Sequence, residues 1–310
     1  WAPPPREEVV STLKSKEFDI LVIGGGATGT GVAMDGASRG LNVALVERDD
    51  FASGTSSRST KLIHGGIRYL AQAFQTKLPP NTLLDIIWNL RIPFPGTEGY
   101  EYLKILNADL YERKYMIDSA GFMTTPLPIM VPMYRWWEVP FLFIAGKMYD
   151  FVAGRRRSVP PSHYISAAEV FYQFPEIKEQ NHEGCKLKGA LVFNEGQQND
   201  TRMNVHIALT AAQEGATVAN HTEVLDLLST GTRGQSDYKI VGAKVRDVFT
   251  GETYEIKAKQ VISACGVFSD AVRRMADPEA TDIMVAGPGS HLVMPDYTSP
   301  DKMGFLWFTE

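Results

Sequence analysis

The chain has 310 residues, of which 44% are hydrophobic and 22% are charged, a composition typical of a globular protein with a large core. Its 31 basic and 36 acidic residues give a formal net charge of −5, which argues against a nucleic-acid-binding protein, because that class needs a basic surface. The two cysteines, Cys185 and Cys265, are far apart and form no CxxC pair, so neither a disulfide framework nor a zinc site is predicted.

The N-terminal segment is Pro-rich and mixed in charge, and we interpret residues 1–16 as an extension. The chain begins at Trp1 and not at a methionine, so we expect that its N-terminus was cut. No apolar run approaches the roughly 20 residues of a transmembrane helix. Any contact with a membrane is therefore expected at its surface.

Two apolar runs flank a glycine-rich turn. Residues 18–23 form the first run, GGGATGTG follows, and residues 42–47 form the second run. This order predicts a strand, a turn, a helix and a second strand. Gly24, Gly26 and Gly29 form GxGxxG, in which the first glycine permits the turn, the second admits a diphosphate and the third lets the helix pack on the strand.

An acidic residue stands at the expected distance from this turn. Glu47 ends the second apolar run, where its carboxylate can accept hydrogen bonds from ribose hydroxyls. The free N–H groups and the dipole at the start of the predicted helix suit a diphosphate. These features predict a dinucleotide site but leave FAD and NAD as alternatives, since both contain an ADP half.

The central region is less regular. Residues 76–108 contain four prolines and are predicted to form a surface excursion or short helices. Residues 126–154 are rich in Pro, Phe and Met and include Trp136 and Trp137, with Arg135 beside them. Aromatic side chains next to basic ones are typical of a membrane interface, but the same residues could form a buried aromatic cluster.

A helix and several strands are predicted in the last third of the chain. Residues 200–214 fit an amphipathic helix with Asp200 as its N-cap, and Gly215 ends it. Residues 238–264 alternate as strands do, around a turn at Thr250–Gly251.

Residues 54–70 read GTSSRSTKLIHGGIRYL. The serine and threonine hydroxyls of this segment can bind the sugar chain of a flavin, and Gly65 and Gly66 let backbone approach a flat ring. Each hydroxyl could equally cap a turn or a helix. Together with the sequence from Phe18 to Phe51, this segment closely resembles the FAD-dependent glycerol-3-phosphate dehydrogenases, in the form found in mitochondria. The resemblance continues through residues 148–154, 194–205, 261–266 and 289–304, and so covers nearly the whole chain.

The resemblance implies FAD as the cofactor. With the fingerprint residues included, the predicted FAD-binding set is Gly24, Gly26, Gly29, Glu47, Arg48, Ser57, Lys61, His64, Gly65, Gly66 and Gly266.

The resemblance also implies an activity. This is oxidation of sn-glycerol 3-phosphate to dihydroxyacetone phosphate, with hydride passing to the flavin and electrons then passing to ubiquinone. His291, placed at the start of a strand, matches a family active-site histidine, and Arg68 and Tyr69 match positions near the substrate. We therefore predict His291 and Arg68 as catalytic residues, Arg68 and Tyr69 as substrate-binding residues, and no metal site.

The expected fold is α/β. A Rossmann-type, glutathione-reductase-like FAD-binding domain with a β-meander is predicted from residues 17–75 and 194–285. A mixed-sheet substrate and membrane-facing domain is predicted from residues 76–193 and 286–310, incomplete at its C-terminal end. We expect a peripheral or monotopic protein of the mitochondrial inner membrane that forms a homodimer or part of a larger assembly.

Two other functions stay open at this point. A truncated relative could serve as a non-catalytic accessory subunit, because the family continues beyond Glu310 with further flavin and phosphate contacts. An amino-acid oxidase or a related flavin dehydrogenase is the third possibility, although the SSRSTKLIHGG segment does not support it.

Overall fold

The computed structural model describes residues 1–74, 90, 92–285 and 287–306. These residues form two compact units. Unit 1 comprises residues 1–60 and 199–291, and unit 2 comprises the described residues of 61–198 and 292–310. The boundaries between the units therefore fall after Thr60, Gln198 and His291, whereas we predicted them after residues 75, 193 and 285. Residues 1–16, which we predicted to be an extension, belong to unit 1.

Eight α-helices lie in the described part of the chain. They are α1 (Arg6–Ser15), α2 (Ala27–Ser38), α3 (Ile67–Phe74), α4 (Glu98–Ser119), α5 (Glu138–Ala153), α6 (Ala167–Gln173), α7 (Asp200–Gln213) and α8 (Ser269–Ala276).

Eleven β-strands lie in the same residues. They are β1 (Glu17–Ile23), β2 (Val43–Val46), β3 (Leu62–Ile63), β4 (Thr124–Met133), β5 (His163–Ser166), β6 (Gly189–Gln198), β7 (Thr217–Ala219), β8 (Thr222–Thr230), β9 (Lys239–Asp247), β10 (Thr253–Ser263) and β11 (Gly304–Phe305).

Unit 1 contains a six-stranded sheet in the order β7-β2-β1-β10-β9-β8. Strands β7, β2, β1 and β10 are parallel to one another. Strands β8, β9 and β10 form an antiparallel meander. The β1-α2-β2 segment is the predicted strand, turn, helix and strand. A Rossmann-type fold with a β-meander is therefore confirmed.

Both faces of this sheet are covered. On one face Leu21 of β1 packs in a cluster with Val9 and Leu13 of α1. On the other face Val22 packs with Ala33 of α2 and with residues of α7. Alternate residues of a strand point to opposite faces, so a continuous apolar run is expected for a strand that is buried on both sides.

Polar contacts of Arg6 add to the apolar packing that holds helix α1 on unit 1. The Arg6 guanidinium donates to the Asp247 carboxylate at 2.8 Å and to the backbone carbonyl oxygens of Asn220 and His221. Burial alone would raise the pKa of Asp247, but hydrogen bonds from the Thr250 amide and from Arg6 outweigh it and hold that pKa below its usual value.

Unit 2 contains a mixed sheet in the order β11-β4-β6-β3, with β5 also paired to β6. The β11–β4 pair is parallel, and the pairs that involve β6 are antiparallel. The predicted mixed sheet is therefore present in this unit.

Strand β4 contains Pro126, Pro128 and Pro132, which explains why the sequence pattern did not reveal it. Each of these prolines lies an even number of residues from Met130, so its backbone nitrogen points to the same neighbouring strand as the backbone groups of Met130. The Met130 carbonyl oxygen accepts from the Leu306 amide, so that side of β4 faces β11. The missing N–H groups therefore point away from β6, and the ladder between β4 and β6 runs the full length of both strands.

Two elements differ from the sequence prediction. Part of the region predicted as irregular is the start of α4, where the Thr97 side chain accepts from the Tyr100 amide and Glu98 and Glu101 lie in the first turn. Residues 75–89 and 91 lie outside the described residues. The N-cap of α7 is Asn199, not Asp200, and its side chain accepts from the Arg202 amide at 3.0 Å.

Candidate functional site

The fingerprint glycines have no room for side chains. Gly24 has a φ of +109°, and a Cβ there would lie 2.6 Å from the carbonyl oxygen of Ala264. A Cβ on Gly29 would overlap the carbonyl oxygen of Gly24. The turn and the close packing of α2 on β1 therefore require glycine at both positions, as the motif predicted.

The N-terminus of α2 is open to an anion. Its N-cap residue, Gly26, offers no side-chain cap, and the first turn contains no acidic residue. Ala27 and Thr28 are exposed, and the Ala27 amide donates to the Ser56 hydroxyl at 2.9 Å. The helix dipole and the amides of the first turn suit the diphosphate of a dinucleotide, so these residues fit that part of FAD.

Glu47 connects the end of β2 to the glycine-rich turn. Its two carboxylate oxygens accept from the Gly25 amide at 2.6 Å and from the Asp49 amide at 2.9 Å. Each oxygen can still accept one more hydrogen bond, so the carboxylate is fixed in place yet able to bind ribose hydroxyls.

Unit 1 contains three other FAD candidates, which are Arg48, Gly266 and Ser57, the last residue of the short 3-10 helix Thr55–Ser57. The Arg48 guanidinium lies 5.3 Å from the ring centroid of Phe268 and pairs with Asp49 at 3.2 Å. Gly266 has a φ of +54° and open space around its Cβ position. Glycine there is explained by backbone conformation and not by crowding.

The sequence did not reveal the contacts of two buried side chains in α7. Asn204 of α7 donates from Nδ2 to the Gly25 carbonyl oxygen at 2.8 Å and accepts from the Thr30 hydroxyl at 2.9 Å. Asp200 accepts from both the amide and the hydroxyl of Ser59, at 3.0 and 2.7 Å. Both residues lie in the NDTRMN stretch, where helical spacing places Asn204 one turn after Asp200.

Several remaining candidates belong to unit 2. Lys61 has a φ of +61° and precedes β3, and His64 is exposed. Gly66 has a φ of +82°, with Asp109 3.2 Å from its Cβ position. Burial raises the pKa of the Asp109 carboxyl, and the nearby His64 acts in the opposite direction.

The structure gives Gly65 a role that differs from the one its pattern indicated. Gly65 is buried, and a Cβ there would overlap the Tyr149 hydroxyl and the Arg113 guanidinium. Packing within unit 2 therefore requires glycine at this position. The predicted contact of Gly65 and His64 with a flavin stays a prediction.

Arg113, Tyr149 and Glu195 form a buried polar cluster that the sequence did not reveal. Nη1 of Arg113 donates to Oε2 of Glu195 and to the Tyr149 hydroxyl, both at 2.8 Å. Oε2 of Glu195 also accepts from the Gly65 amide at 2.7 Å. The side chains of Arg113 and Glu195 are 0% and 1% exposed.

The predicted catalytic residues are placed as follows. Arg68 and Tyr69 lie in α3, and the Arg68 side chain is outside the described residues. The Tyr69 ring stacks on Tyr102 with centroids 6.1 Å apart. His291 is exposed and lies in an irregular segment, so the strand expected at its position is not formed within the described residues.

Within the described ranges, no helix is long and apolar enough to cross a bilayer. The same residues contain no group of three His, Cys, Asp or Glu side chains that could hold a metal ion.

Known proteins support the cofactor assignment. The family described as FAD dependent oxidoreductase (DAO) matches residues 19–308. The chain is 45% identical to the mitochondrial glycerol-3-phosphate dehydrogenase of Bos taurus, over 98% of this chain and 38% of that protein. It is 42% identical to a mitochondrial glycerol-3-phosphate dehydrogenase of Arabidopsis thaliana, over 96% of this chain and 43% of that protein. The chain thus spans about two fifths of the length of these relatives.

Solved structures show the same fold. The glycerol-3-phosphate dehydrogenase from Bacillus halodurans complexed with FAD is 26% identical, with a TM-score of 0.55 over 88% of this chain and 39% of that chain. The FAD-bound L-alpha-glycerophosphate oxidase from Mycoplasma pneumoniae is 19% identical, with a TM-score of 0.53 over 84% of this chain and 57% of that chain. The family match spans nearly the whole chain and agrees with the open helix terminus and the glycine-rich turn of unit 1. The chain therefore belongs to the DAO family of FAD-dependent oxidoreductases.

Proposed function

We propose that this chain is the FAD-binding part of a dehydrogenase that oxidises sn-glycerol 3-phosphate to dihydroxyacetone phosphate and passes electrons to ubiquinone. The observation that carries the proposal is the 42–45% identity, over nearly the whole chain, to proteins named mitochondrial glycerol-3-phosphate dehydrogenase. Because the chain spans only part of their length, the proposed activity is that of a longer polypeptide. The same names support a mitochondrial location, which we propose to be the inner membrane.

Unit 1 performs the cofactor-binding step. The first-turn amides of α2 bind the diphosphate, and Glu47 accepts hydrogen bonds from ribose hydroxyls. Asn204 and Thr30 keep the Gly25 backbone in position through buried hydrogen bonds at 2.8 and 2.9 Å. When bound, FAD supplies the two-electron acceptor.

Residues proposed for the substrate perform two tasks. Oxidation of a secondary alcohol removes hydride from C2 and the proton from its hydroxyl, so the reaction needs a base beside that hydroxyl. A neutral His291 imidazole can accept this proton. Arg68 presents a fixed fork of donors that suits the substrate phosphate, and Tyr69 is the second proposed substrate residue.

A membrane surface is the proposed docking partner. In α5, Ile144 and Phe151 are 58% and 86% exposed. Lys147 is exposed on the same helix, and Arg155 is exposed just after its end. Trp136 is exposed, whereas Trp137 is buried, so the aromatic segment divides between surface and core. Exposed apolar side chains next to basic ones suit the interface of an anionic bilayer, where a lipid-soluble acceptor is found.

The accessory-subunit alternative is not favoured, because the relatives are named as dehydrogenases and the fingerprint turn is intact. A homodimer or a larger assembly remains part of the proposal.

The test uses the longer polypeptide, purified without added nucleotide. After denaturation, the released nucleotide is expected to be FAD. Anaerobic addition of glycerol 3-phosphate is expected to bleach the flavin spectrum, whereas glycerol, which lacks the phosphate, is expected to leave it unchanged. A protein that releases FAD but is not reduced by glycerol 3-phosphate would contradict the proposed substrate.

A further inference from the structure

Glu195, Arg113 and Tyr149 come from three different elements of unit 2. Glu195 lies in β6, Arg113 in α4 and Tyr149 in α5. All three residues are at most 2% exposed. A buried charge is costly unless it is paired and hydrogen-bonded, and removing one partner of a buried pair leaves the other charge uncompensated.

The hydrogen bonds of the cluster converge on Glu195. Its carboxylate accepts from Arg113 at 2.8 Å, from the Tyr149 hydroxyl at 3.3 Å and from the Gly65 amide at 2.7 Å. The first two donors are side chains, and the third belongs to the backbone of the segment after β3. The cluster therefore pairs its own charges and also binds the backbone of the loop that contains Gly65.

The charge states are consistent with this role. Burial, together with the charge on Glu195, raises the pKa of the Tyr149 phenol above its ordinary value, so Tyr149 stays a neutral donor. Among the described residues, Nε and Nη2 of Arg113 have no hydrogen-bond partner. The Glu195 carboxylate is the negative charge that pairs with this buried guanidinium.

The loop is held from both sides. Strand β6 holds this loop at two points. The backbone of Gly196 pairs with Ile63 of β3, and the side chain of the neighbouring Glu195 accepts from the Gly65 amide. A side chain on Gly65 would overlap the cluster, and Gly66 has a φ of +82°. The path of the backbone from Ile63 to Gly66 is thereby fixed.

We propose that Glu195, Arg113 and Tyr149 act as positioning residues, which hold the His64–Gly66 backbone in the conformation that contacts the flavin. This proposal rests on the proposed function, in which the chain binds FAD, and on the sequence-based prediction that His64, Gly65 and Gly66 contact that FAD. None of the three side chains needs to touch the cofactor. Glu195 acts through its hydrogen bond with the Gly65 amide, and Tyr149 and Arg113 act by packing against Gly65 where a side chain would otherwise lie.

The test compares buried tyrosines of unit 2 in the longer polypeptide. Tyr149→Phe removes the hydroxyl of the cluster. Tyr134→Phe is the matched control, because the Tyr134 hydroxyl is also buried and donates to the Lys178 carbonyl oxygen at 2.8 Å, away from the loop. Glu195→Gln removes the charge that accepts from Gly65. For each variant, thermal stability, the dissociation constant of FAD and the visible spectrum of bound flavin are measured.

We expect Glu195→Gln to weaken FAD binding by about ten- to hundredfold, the usual effect of a hydrogen bond to a charged group. Tyr149→Phe is expected to weaken it by about threefold to tenfold, as for a neutral hydrogen bond, and to shift the flavin spectrum. Tyr134→Phe is expected to lower thermal stability while leaving both FAD measurements unchanged.

If Glu195→Gln does not fold, Tyr149→Phe and its control decide the question. A Tyr149→Phe protein with wild-type FAD affinity and an unshifted spectrum would overturn the proposal, because the cluster would then be structural only. A wild-type protein that is not reduced by glycerol 3-phosphate would contradict the proposed function, whereas a spectral shift in Tyr149→Phe would still support the positioning role.

Discussion

The amide of Gly25 donates to Oε2 of Glu47 at 2.6 Å, so the glycine-rich turn and the acidic end of β2 are fixed to each other. The other carboxylate oxygen accepts from the Asp49 amide. A glutamine at position 47 would direct its NH2 group at one of these two backbone donors. Glu47 is therefore expected to matter both for the turn and for the ribose.

The first prediction follows from this contact. Glu47→Gln is expected to weaken FAD binding by roughly ten- to hundredfold. The control is Asp49→Asn, since Asp49 pairs with Arg48 where both side chains are more than half exposed, and such pairs contribute little. Titration of the apoprotein with FAD measures both dissociation constants. Equal dissociation constants for the two variants would contradict the role given to Glu47.

The second prediction separates two glycines of α2. Gly29→Ala places a Cβ against the Gly24 carbonyl oxygen and is expected to abolish FAD binding. Gly31→Ala meets nothing within 4 Å, and alanine raises helix stability by about 1 kcal/mol, so this variant should bind FAD normally and unfold at a higher temperature. The ratio of FAD to protein after purification and the melting temperature give the result. Retention of FAD by Gly29→Ala would mean that α2 can move away from β1.

The third prediction concerns the base. In the longer polypeptide, His291→Ala is expected to slow flavin reduction by about 10²–10⁴-fold while FAD stays bound, because a general base usually contributes that much. His163→Ala is the control, as His163 is an exposed histidine in β5 with no proposed role. Stopped-flow reduction by glycerol 3-phosphate measures the rates. Similar rates in both variants would exclude His291 as the base.

The fourth prediction concerns α1. Arg6→Met removes the partner of Asp247, whose side chain is 4% exposed, and is expected to destabilise α1 by roughly 1–3 kcal/mol at neutral pH. Lys14→Met, on the same helix, removes a more exposed pair with Glu252 and should cost about 0–1 kcal/mol. Hydrogen exchange of the α1 amides measures the free energy of local opening.

The Arg6 effect should also depend on pH. The folded-state pKa of Asp247 is lowered from its ordinary value of 3.8, so the stabilisation is fully present above that value. It is lost as the pH falls through the lower, folded-state pKa. The difference between wild type and Arg6→Met should therefore shrink as the pH falls below 3.8 and through the folded-state pKa. A difference that does not change with pH would show that Arg6 acts through the Asn220 and His221 carbonyl groups.

The sequence predicted the elements that have local signals. The fingerprint defines β1, α2 and β2, because each of its glycines has a steric requirement that the structure shows. Periodicity located α7 and the strands β9 and β10, and the turn at Gly251 adopts a positive φ of +75°. The N-cap of α7 was placed one residue late, because Asn199 and Asp200 are both good caps and only the folded chain distinguishes them.

What the sequence did not predict depends on partners far along the chain. Strand β4 forms despite its prolines, because their backbone nitrogens point away from β6 and the hydrogen bonds between β4 and β6 are kept. Helix α1 packs in the core although prolines precede it, because Val9 and Leu13 are buried against β1 and Arg6 binds Asp247. Gly65 was attributed to flavin approach, whereas packing against Tyr149 and Arg113 already requires it. No local pattern reports such long-range contacts.

The pairing of β1 with β10 has a consequence during synthesis. The edge of β1 opposite β2 pairs with β10, from Glu17↔Lys257 to Ile23↔Ser263. While the chain emerges from the ribosome, that edge stays unpaired until the residues of β10 have been made. Strands exposed in this way are prone to aggregate, and an N-terminal domain interrupted by a long insertion cannot fold first. The sheet of unit 1 can therefore close only after β10 has been made, and ribosome-bound chains that end between positions 60 and 250 are expected to be protease-sensitive in their β1 region.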